Sequence, residues 1–140
     1  MLPFPVSLLP GESPYRQVVY AATKAVVSGV LPAGSPFPSV RELSQALKIN
    51  PNTAHKVVAE LVRNGVLDVL PGVGTVVAIG TKSSAAERRA LLSKPVEQLV
   101  VEALRIGLEE QDVVKAVASR WRELSGGTQH DAADRAATSE

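Results

Sequence analysis

Apolar residues recur at three- and four-residue steps in three consecutive segments of the first 65 residues, the spacing of helices that bury one face. The first segment begins at Ser13-Pro14, a capping residue followed by proline at the first helical position, and ends at Gly29. The second begins at Ser39 with a capping box, and the third begins at Asn50-Pro51 and ends at Gly65. Because a tight turn joins the last two segments, the pattern predicts a three-helix, helix-turn-helix bundle.

Two β-branched runs follow, at residues 66–70 and 75–79, on either side of Pro71-Gly72-Val73-Gly74. This arrangement predicts a β-hairpin. A three-helix bundle with a hairpin directly after it is a winged helix. We therefore predict an α+β, mainly α, fold: a winged helix-turn-helix over residues 13–79, preceded by an N-terminal arm of residues 1–12.

The chain beyond residue 80 has a different helical pattern. Ser84 opens a capping box, and Lys94-Pro95 predicts a kink or a restart of the helix. Two amphipathic helices follow, each with an apolar stripe. The two helices cannot bury both stripes fully against each other, so the stripes must pack against the winged helix or against a second copy of the same helices. The stripes are Val96, Leu99, Val100, Ala103 and Ile106, and then Val113 or Val114, Val117, Ala118, Trp121 and Leu124. Residues 125–140 lack periodicity, which predicts a disordered tail.

Composition excludes several classes of function. The net charge is +1, divided as +2 in the first 80 residues and −1 in the rest, so the chain is no polycation. Cysteine is absent, no apolar run reaches 18 residues, and the start lacks a basic segment of the signal-peptide kind. We expect a cytoplasmic protein with no membrane contact.

The sequence contains no constellation that indicates catalysis. The two histidines are His55 and His130, and no metal-ligand cluster, nucleophile–base pair or phosphate-binding loop accompanies them. We therefore expect neither an enzyme nor a bound metal or cofactor.

The polar face of the third helix is the strongest candidate for function. A helical wheel places it opposite the apolar stripe, with Thr53 at its edge, and its members are Asn52, His55, Lys56, Ala59 and Arg63. Asparagine bonds adenine edges, threonine bonds bases or phosphates, and lysine supplies charge. The alternative is a solvated face whose Asn and Thr only cap the helix. The preceding short helix and the following hairpin favour DNA recognition.

Two further elements are candidates for DNA contact. Arg41 lies outside the apolar stripe of the second helix and would reach a phosphate or a base. The alternative is that Arg41 pairs with an acidic residue one helical turn away, but the residues four positions before and after it are Phe37 and Gln45, and neither is acidic. The glycines at the predicted wing tip, Gly72 and Gly74, would let backbone approach DNA closely, or they form a plain hairpin turn. The tip carries no lysine or arginine.

Residues 13–78 resemble the DNA-binding domain of GntR-family bacterial transcription regulators. The matching features are Tyr15, SG-x-L-x-x-G at 28–34, PSVRELS at 38–44, NPNT at 50–53, L-x-x-x-G-x-L at 61–67 and G-x-G-T at 72–75. The NPNT form and the short helical remainder are similar to the YtrA subfamily, in which the C-terminal part is a two-helix dimerisation unit.

The resemblance implies a homodimeric repressor that binds a palindromic, double-stranded DNA operator. The implied DNA contacts are Ser39, Arg41, Asn52, Thr53, His55, Lys56, Gly72, Val73, Gly74 and Thr75. Residues 84–124 would form the dimerisation region, through Leu99, Val100, Ala103, Val114, Val117 and Trp121; for Trp121 the residues themselves indicate either core or interface. The chain departs from many members at His55, where arginine is frequent, and at the uncharged wing tip.

Two expectations concern other ligands. The roughly forty structured residues after the wing are too few to enclose a small-molecule pocket of roughly 300 Å³, so we expect no built-in metabolite pocket. The alternative to DNA binding is a winged-helix module that binds protein, which the low net charge and the uncharged wing support.

Overall fold

The computed structural model describes the backbone of residues 2–138 and the side chains as far as residue 126. The chain divides into two compact units, one built on Met1–Thr81 and one on Lys82–Leu124, and each is described by itself. In the described residues no helix is both long enough and apolar enough to cross a membrane.

Three helices form the centre of the first unit: α1 (Pro14–Val27), α2 (Val40–Leu47) and α3 (Pro51–Arg63). Their starts are capped as the sequence predicts. The Ser13 hydroxyl accepts a bond from the Arg16 N–H, and Ser39 and Glu42 complete a reciprocal capping box. The Asn50 side chain accepts a bond from the Asn52 N–H, 2.8 Å away. Each cap satisfies a backbone N–H that has no partner within the helix.

The core of this unit lies where the apolar faces of the three helices meet the wing. All three helices, the loop after α1 and both strands contribute buried side chains, and so does the N-terminal arm through Phe4. The buried members are Phe4, Val18, Ala22, Ala25, Leu31, Phe37, Leu43, Ala54, Val57, Leu61, Leu67 and Val77. Val58 and Val62 of the predicted α3 stripe are only partly buried, at the edge of this cluster.

The wing is a two-stranded antiparallel hairpin, β1 (Leu67–Leu70) and β2 (Gly74–Val77). Its register pairs Leu67 with Val77 at the core end and Leu70 with Gly74 at the tip. The loop before α2 runs along the edge of β2, and Pro36 forms a bridge with Val76. The winged helix-turn-helix fold is thus confirmed.

The second unit is helical, with α4 (Ala85–Leu92), α5 (Lys94–Arg105) and the part of α6 (Glu110–Thr138) up to Leu124. The chain breaks between α4 and α5 at Ser93, where ψ is −95°, and Pro95 lies in the first turn of α5. Proline is tolerated there because the first helical N–H groups have no internal partner. The helix that follows Gly107 continues past residue 124, the predicted boundary of the tail. The side chains from residue 127 onward lie outside the described part, so the predicted disorder of 125–140 stays a prediction.

Candidate nucleic-acid interface

The outward face of α3 carries the polar side chains that the sequence singles out. Ala54, Val57 and Leu61 are completely buried on one side of the helix. On the opposite side the side chains are exposed, and these are Asn52, His55, Lys56, Ala59 and Arg63. Thr53 is half-buried at the edge. The predicted polar face of α3 is therefore exposed to solvent along the helix, with Asn52 and Thr53 in its first turn.

Not every cation on this face is equally available. Arg63 pairs with Glu60, one turn before it in the same helix. The hydrogen bond from Arg63, and a second one from the Tyr15 hydroxyl, lower the pKa of Glu60. Desolvation and Glu60 in turn raise the pKa of Tyr15. Lys56 has no comparable partner among the ion pairs of the described residues, which makes it the principal cation of the α3 surface.

The turn between α2 and α3 is held by a side-chain hydrogen bond and a backbone hydrogen bond that local sequence periodicity does not indicate. The Ser44 hydroxyl donates to the Ile49 carbonyl oxygen over 2.8 Å, and the Ile49 N–H donates back to the Ser44 carbonyl oxygen over 3.2 Å. Lys48 between them has φ +54°, a left-handed conformation that non-glycine residues rarely adopt. The only sequence signal was the shortness of the gap, which required a sharp reversal before Asn50.

The start of α2 presents Arg41 to solvent in the first helical turn. The Ser39 hydroxyl accepts from the Glu42 N–H, 3.1 Å away, so the structure uses this hydroxyl as a cap. Glu42 is occupied with the Ser39 N–H at 3.5 Å, and no ion pair to Arg41 is present in the described residues. Arg41 therefore has its charge free for an anionic partner.

The wing tip is glycine-rich and apolar. Gly72 and Gly74 have φ of +78° and +117°, conformations that side chains disfavour, and Val73 between them is 73% exposed. Thr75 is half-buried, and its carbonyl oxygen accepts from the Phe37 N–H over 2.9 Å, which ties the wing to the loop before α2. The tip can contribute close backbone approach and apolar contact, but no positive charge.

The predicted dimerisation residues lie in α5 and α6 of the second unit. Ala103 is buried, whereas five others are exposed in the single chain: Leu99, Val100, Val114, Val117 and Trp121. Leu91, Leu92, Val101, Leu104 and Ile106 are exposed as well. Exposed apolar side chains at this density are typical of a surface that takes part in an interaction.

Two features of the structure bear on other ligands. In the part of the chain that the structure describes, no group of three histidine, cysteine or acidic residues could hold a metal ion. An open groove of about 530 Å³ lies between the N-terminal arm and α1, with Tyr20 and Lys24 among its lining residues. That the residues after the wing enclose no metabolite pocket stays a prediction.

Comparisons with known proteins agree with this geometry. The model of the family described as bacterial regulatory proteins, gntR family, matches residues 14–77. The HTH-type transcriptional repressor YtrA of Bacillus subtilis (strain 168) is 28% identical over 118 residues, which is 84% of this chain and 91% of that protein.

Two solved structures are similar over most of the chain. A transcriptional antiterminator from Listeria monocytogenes EGD-e superposes with a TM-score of 0.73 and is 26% identical; 86% of this chain and 91% of that one are covered. A transcriptional regulator from Oenococcus oeni has a TM-score of 0.58 and is 30% identical, with 81% and 95% covered. The likeness in both cases extends beyond the winged helix into the helical remainder.

Proposed function

Because this chain belongs to the gntR family of bacterial regulatory proteins and is of its YtrA type, we propose that it is a sequence-specific transcription repressor that binds DNA in the cytoplasm. The observation that carries the proposal is the outward face of α3. Asn52, His55 and Lys56 are exposed on the side opposite a fully buried apolar stripe, and the fold around them is a winged helix-turn-helix.

In the proposed complex, α3 lies in the major groove with its N-terminal turn towards the base edges. Asn52 offers an amide that can bond adenine in two places, and Thr53 and His55 supply further donors and acceptors. Lys56 and Arg41 neutralise phosphates. The backbone at Gly72 and Gly74, with Val73 and Thr75, meets the adjacent groove, and Ser39 supports Arg41 from the start of α2.

A single subunit would bind weakly. Each phosphate neutralised contributes about −0.9 to the slope of log K against log salt, so two free cations give a slope of only about −2. We propose that two chains bind as a homodimer, which roughly doubles that slope. Two-fold symmetry then requires a palindromic operator with half-sites about one helical turn apart.

The second unit is the proposed source of the dimer. The faces of α5 and α6 that carry Leu99, Val100, Val117 and Trp121 are exposed in the single chain, and their removal from water would stabilise the pairing of two copies. Ala103, already buried, would lie beneath that contact, and Val114 would extend it. No enzymatic step is part of this proposal.

The experiment is selection of DNA from a random-sequence pool, followed by competition among single-base variants of the selected duplex. We expect a palindromic consensus. Asn52→Ala should reduce discrimination at one position of each half-site by about 1–3 kcal/mol, because a bidentate base contact is lost. Recovery of no consensus would contradict specific regulation, and an equal loss on all sequences would assign Asn52 to the DNA backbone.

A second candidate function is favoured by the wing. Its tip exposes Val69, Leu70 and Val73 without a charge, which suits a protein partner better than a phosphate backbone. On this alternative, the chain is a winged-helix module that binds protein. The dependence of DNA affinity on salt discriminates between the two, because an operator complex weakens steeply with salt and a protein-binding module shows no specific DNA complex at any salt concentration.

A further inference from the structure

The N-terminal arm is part of the core of the first unit. Phe4 is only 4% exposed, and Leu2, Val6 and Leu8 pack against the same buried cluster. The Gln17 side chain on α1 fixes the far end of the arm: it accepts from the Leu9 N–H over 2.7 Å and donates to the carbonyl oxygens of Leu9 and Glu12, each 3.2 Å away. A segment held at both ends has a defined position on the winged helix.

The arm meets the DNA-binding elements through one aromatic pair. The ring of Phe4 stacks on the ring of Phe37, with centroids 5.6 Å apart and planes inclined by 20°. Phe37 is itself 6% exposed. Such an offset stack contributes beyond the burial of its area, and loss of one ring leaves a void that the other must fill.

Phe37 connects the arm to both sides of the proposed interface. Its backbone N–H donates to the Thr75 carbonyl oxygen over 2.9 Å, in the wing strand that leads from the tip. The same loop exchanges bonds with Val77 through Gly34 and Ser35, at 2.8 Å each. Two residues after Phe37 stands Ser39, the cap of α2, and then Arg41. A shift of the Phe37 ring therefore reaches the wing and the start of α2 together.

We propose that Phe4 is a positioning residue for DNA binding: its stack on Phe37 holds the wing and the start of α2 in the places from which they contact the operator. The effect on DNA binding rests on the proposed function, whereas the effect of the Phe4–Phe37 stack on the wing and on α2 concerns the protein alone. Phe4 touches no DNA in this scheme. It acts through Phe37, so its loss changes how well the interface is arranged and removes no phosphate contact.

The test uses the full chain and a duplex selected by the wild-type protein from a random-sequence pool. Phe4→Ala is compared with Val18→Ala, which shortens a fully buried side chain of α1 in the same core. Binding is measured well below the melting temperature of both. Phe4→Ala is expected to weaken binding by about three- to tenfold with an unchanged salt slope. Phe4→Leu, which keeps the apolar bulk, should recover most of the affinity, and Val18→Ala should bind as the wild type does.

Hydrogen exchange at the Phe37 amide supplies a readout that does not depend on DNA. Phe4→Ala is expected to speed exchange of this amide more than its global destabilisation explains, whereas Val18→Ala is not. If Phe4→Ala does not fold, Gln17→Ala releases the other end of the arm and should have the same effect in weaker form. Unchanged exchange at Phe37, or a loss of affinity no greater than that of Val18→Ala, overturns the proposal. If the wild-type chain selects no duplex, the proposed function is overturned. The exchange rate of the Phe37 amide then still decides whether the arm holds the wing in place.

Discussion

The hydroxyl of Ser44 donates a hydrogen bond to the carbonyl oxygen of Ile49 across the turn between α2 and α3, over 2.8 Å. The Ile49 N–H returns a bond to the Ser44 carbonyl oxygen. Lys48, between them, is held in the left-handed conformation that reverses the chain. One serine thus joins the end of α2 to the residue before Asn50, the cap of α3, and so helps to set the angle at which α3 leaves the turn.

Ser44→Ala removes a part-buried hydrogen bond and leaves the Ile49 carbonyl oxygen without its partner. We expect a loss of about 1 kcal/mol in the free energy of unfolding. For a domain of this size, that corresponds to a fall in melting temperature of about 4–8 °C. Thermal unfolding followed by circular dichroism measures it. Ser28→Ala is the matched control, because the Ser28 hydroxyl makes only a 3.5 Å contact at the end of α1; equal losses in the two variants would contradict the role of Ser44.

Lys56→Ala should weaken binding to every DNA and reduce the magnitude of the salt slope by about one per subunit, because one phosphate contact is lost. Binding isotherms at several salt concentrations measure both effects. Arg63→Ala is the control on the same helix face, since its guanidinium is already paired with Glu60 and its removal should change the slope less. A larger change in slope for Arg63→Ala than for Lys56→Ala would reverse the assignment of the two cations.

The Tyr15–Glu60–Arg63 cluster predicts how stability depends on acid. The bonds from Arg63 and Tyr15 lower the pKa of Glu60 in the folded chain below its ordinary value of 4.5. The unfolded chain therefore binds this proton first, so the stabilisation is complete above pH 4.5 and is lost as pH falls through the folded pKa. Melting temperatures of Glu60→Gln should fall less on acidification than those of the wild type.

Tyr15→Phe isolates the hydroxyl in that cluster. It removes one of the side-chain bonds that lower the pKa of Glu60 and should make the acid dependence shallower, though not as shallow as in Glu60→Gln. Tyr20→Phe is the control, because Tyr20 is exposed on α1 and is absent from the interactions of Glu60. Superimposable melting curves for Tyr15→Phe and the wild type at every pH would show that the hydroxyl has no part in the titration.

Leu99→Glu tests the proposed dimer. Leu99 is 48% exposed in the single chain, and a carboxylate there would have to enter the contact between two copies. We expect the dimer dissociation constant to rise roughly tenfold or more, from the loss of apolar burial and the cost of burying a charge. Sedimentation across a concentration series measures it, with Gln98→Glu on the neighbouring position as the control for charge. A wild-type chain that stays monomeric at high concentration would remove dimerisation from the proposal.

The sequence by itself determined the elements of this protein, because their signals are local. The caps at Ser13, Ser39 and Asn50 act within three residues of themselves, and a helical stripe repeats within one turn. The polar face of α3 followed from the same periodicity. The restart predicted at Lys94-Pro95 is also found, because α5 begins at Lys94 after a break at Ser93 and proline is tolerated within the first turn of a helix.

Only the tertiary structure decided which distant groups meet. Nothing near Phe4 in the sequence indicates that its ring will stack on Phe37, or that Tyr15 will bond Glu60 across 45 positions. The bridge from Pro36 to Val76 likewise depends on how the bundle brings a loop to the edge of β2. Such contacts form because folding brings residues that are far apart in the sequence together around one apolar core. Local periodicity does not indicate which distant segments will meet. The sequence therefore shows which side chains α3 presents to solvent, and the packing of the arm, the loop and the wing decides how distant parts of the first unit are joined.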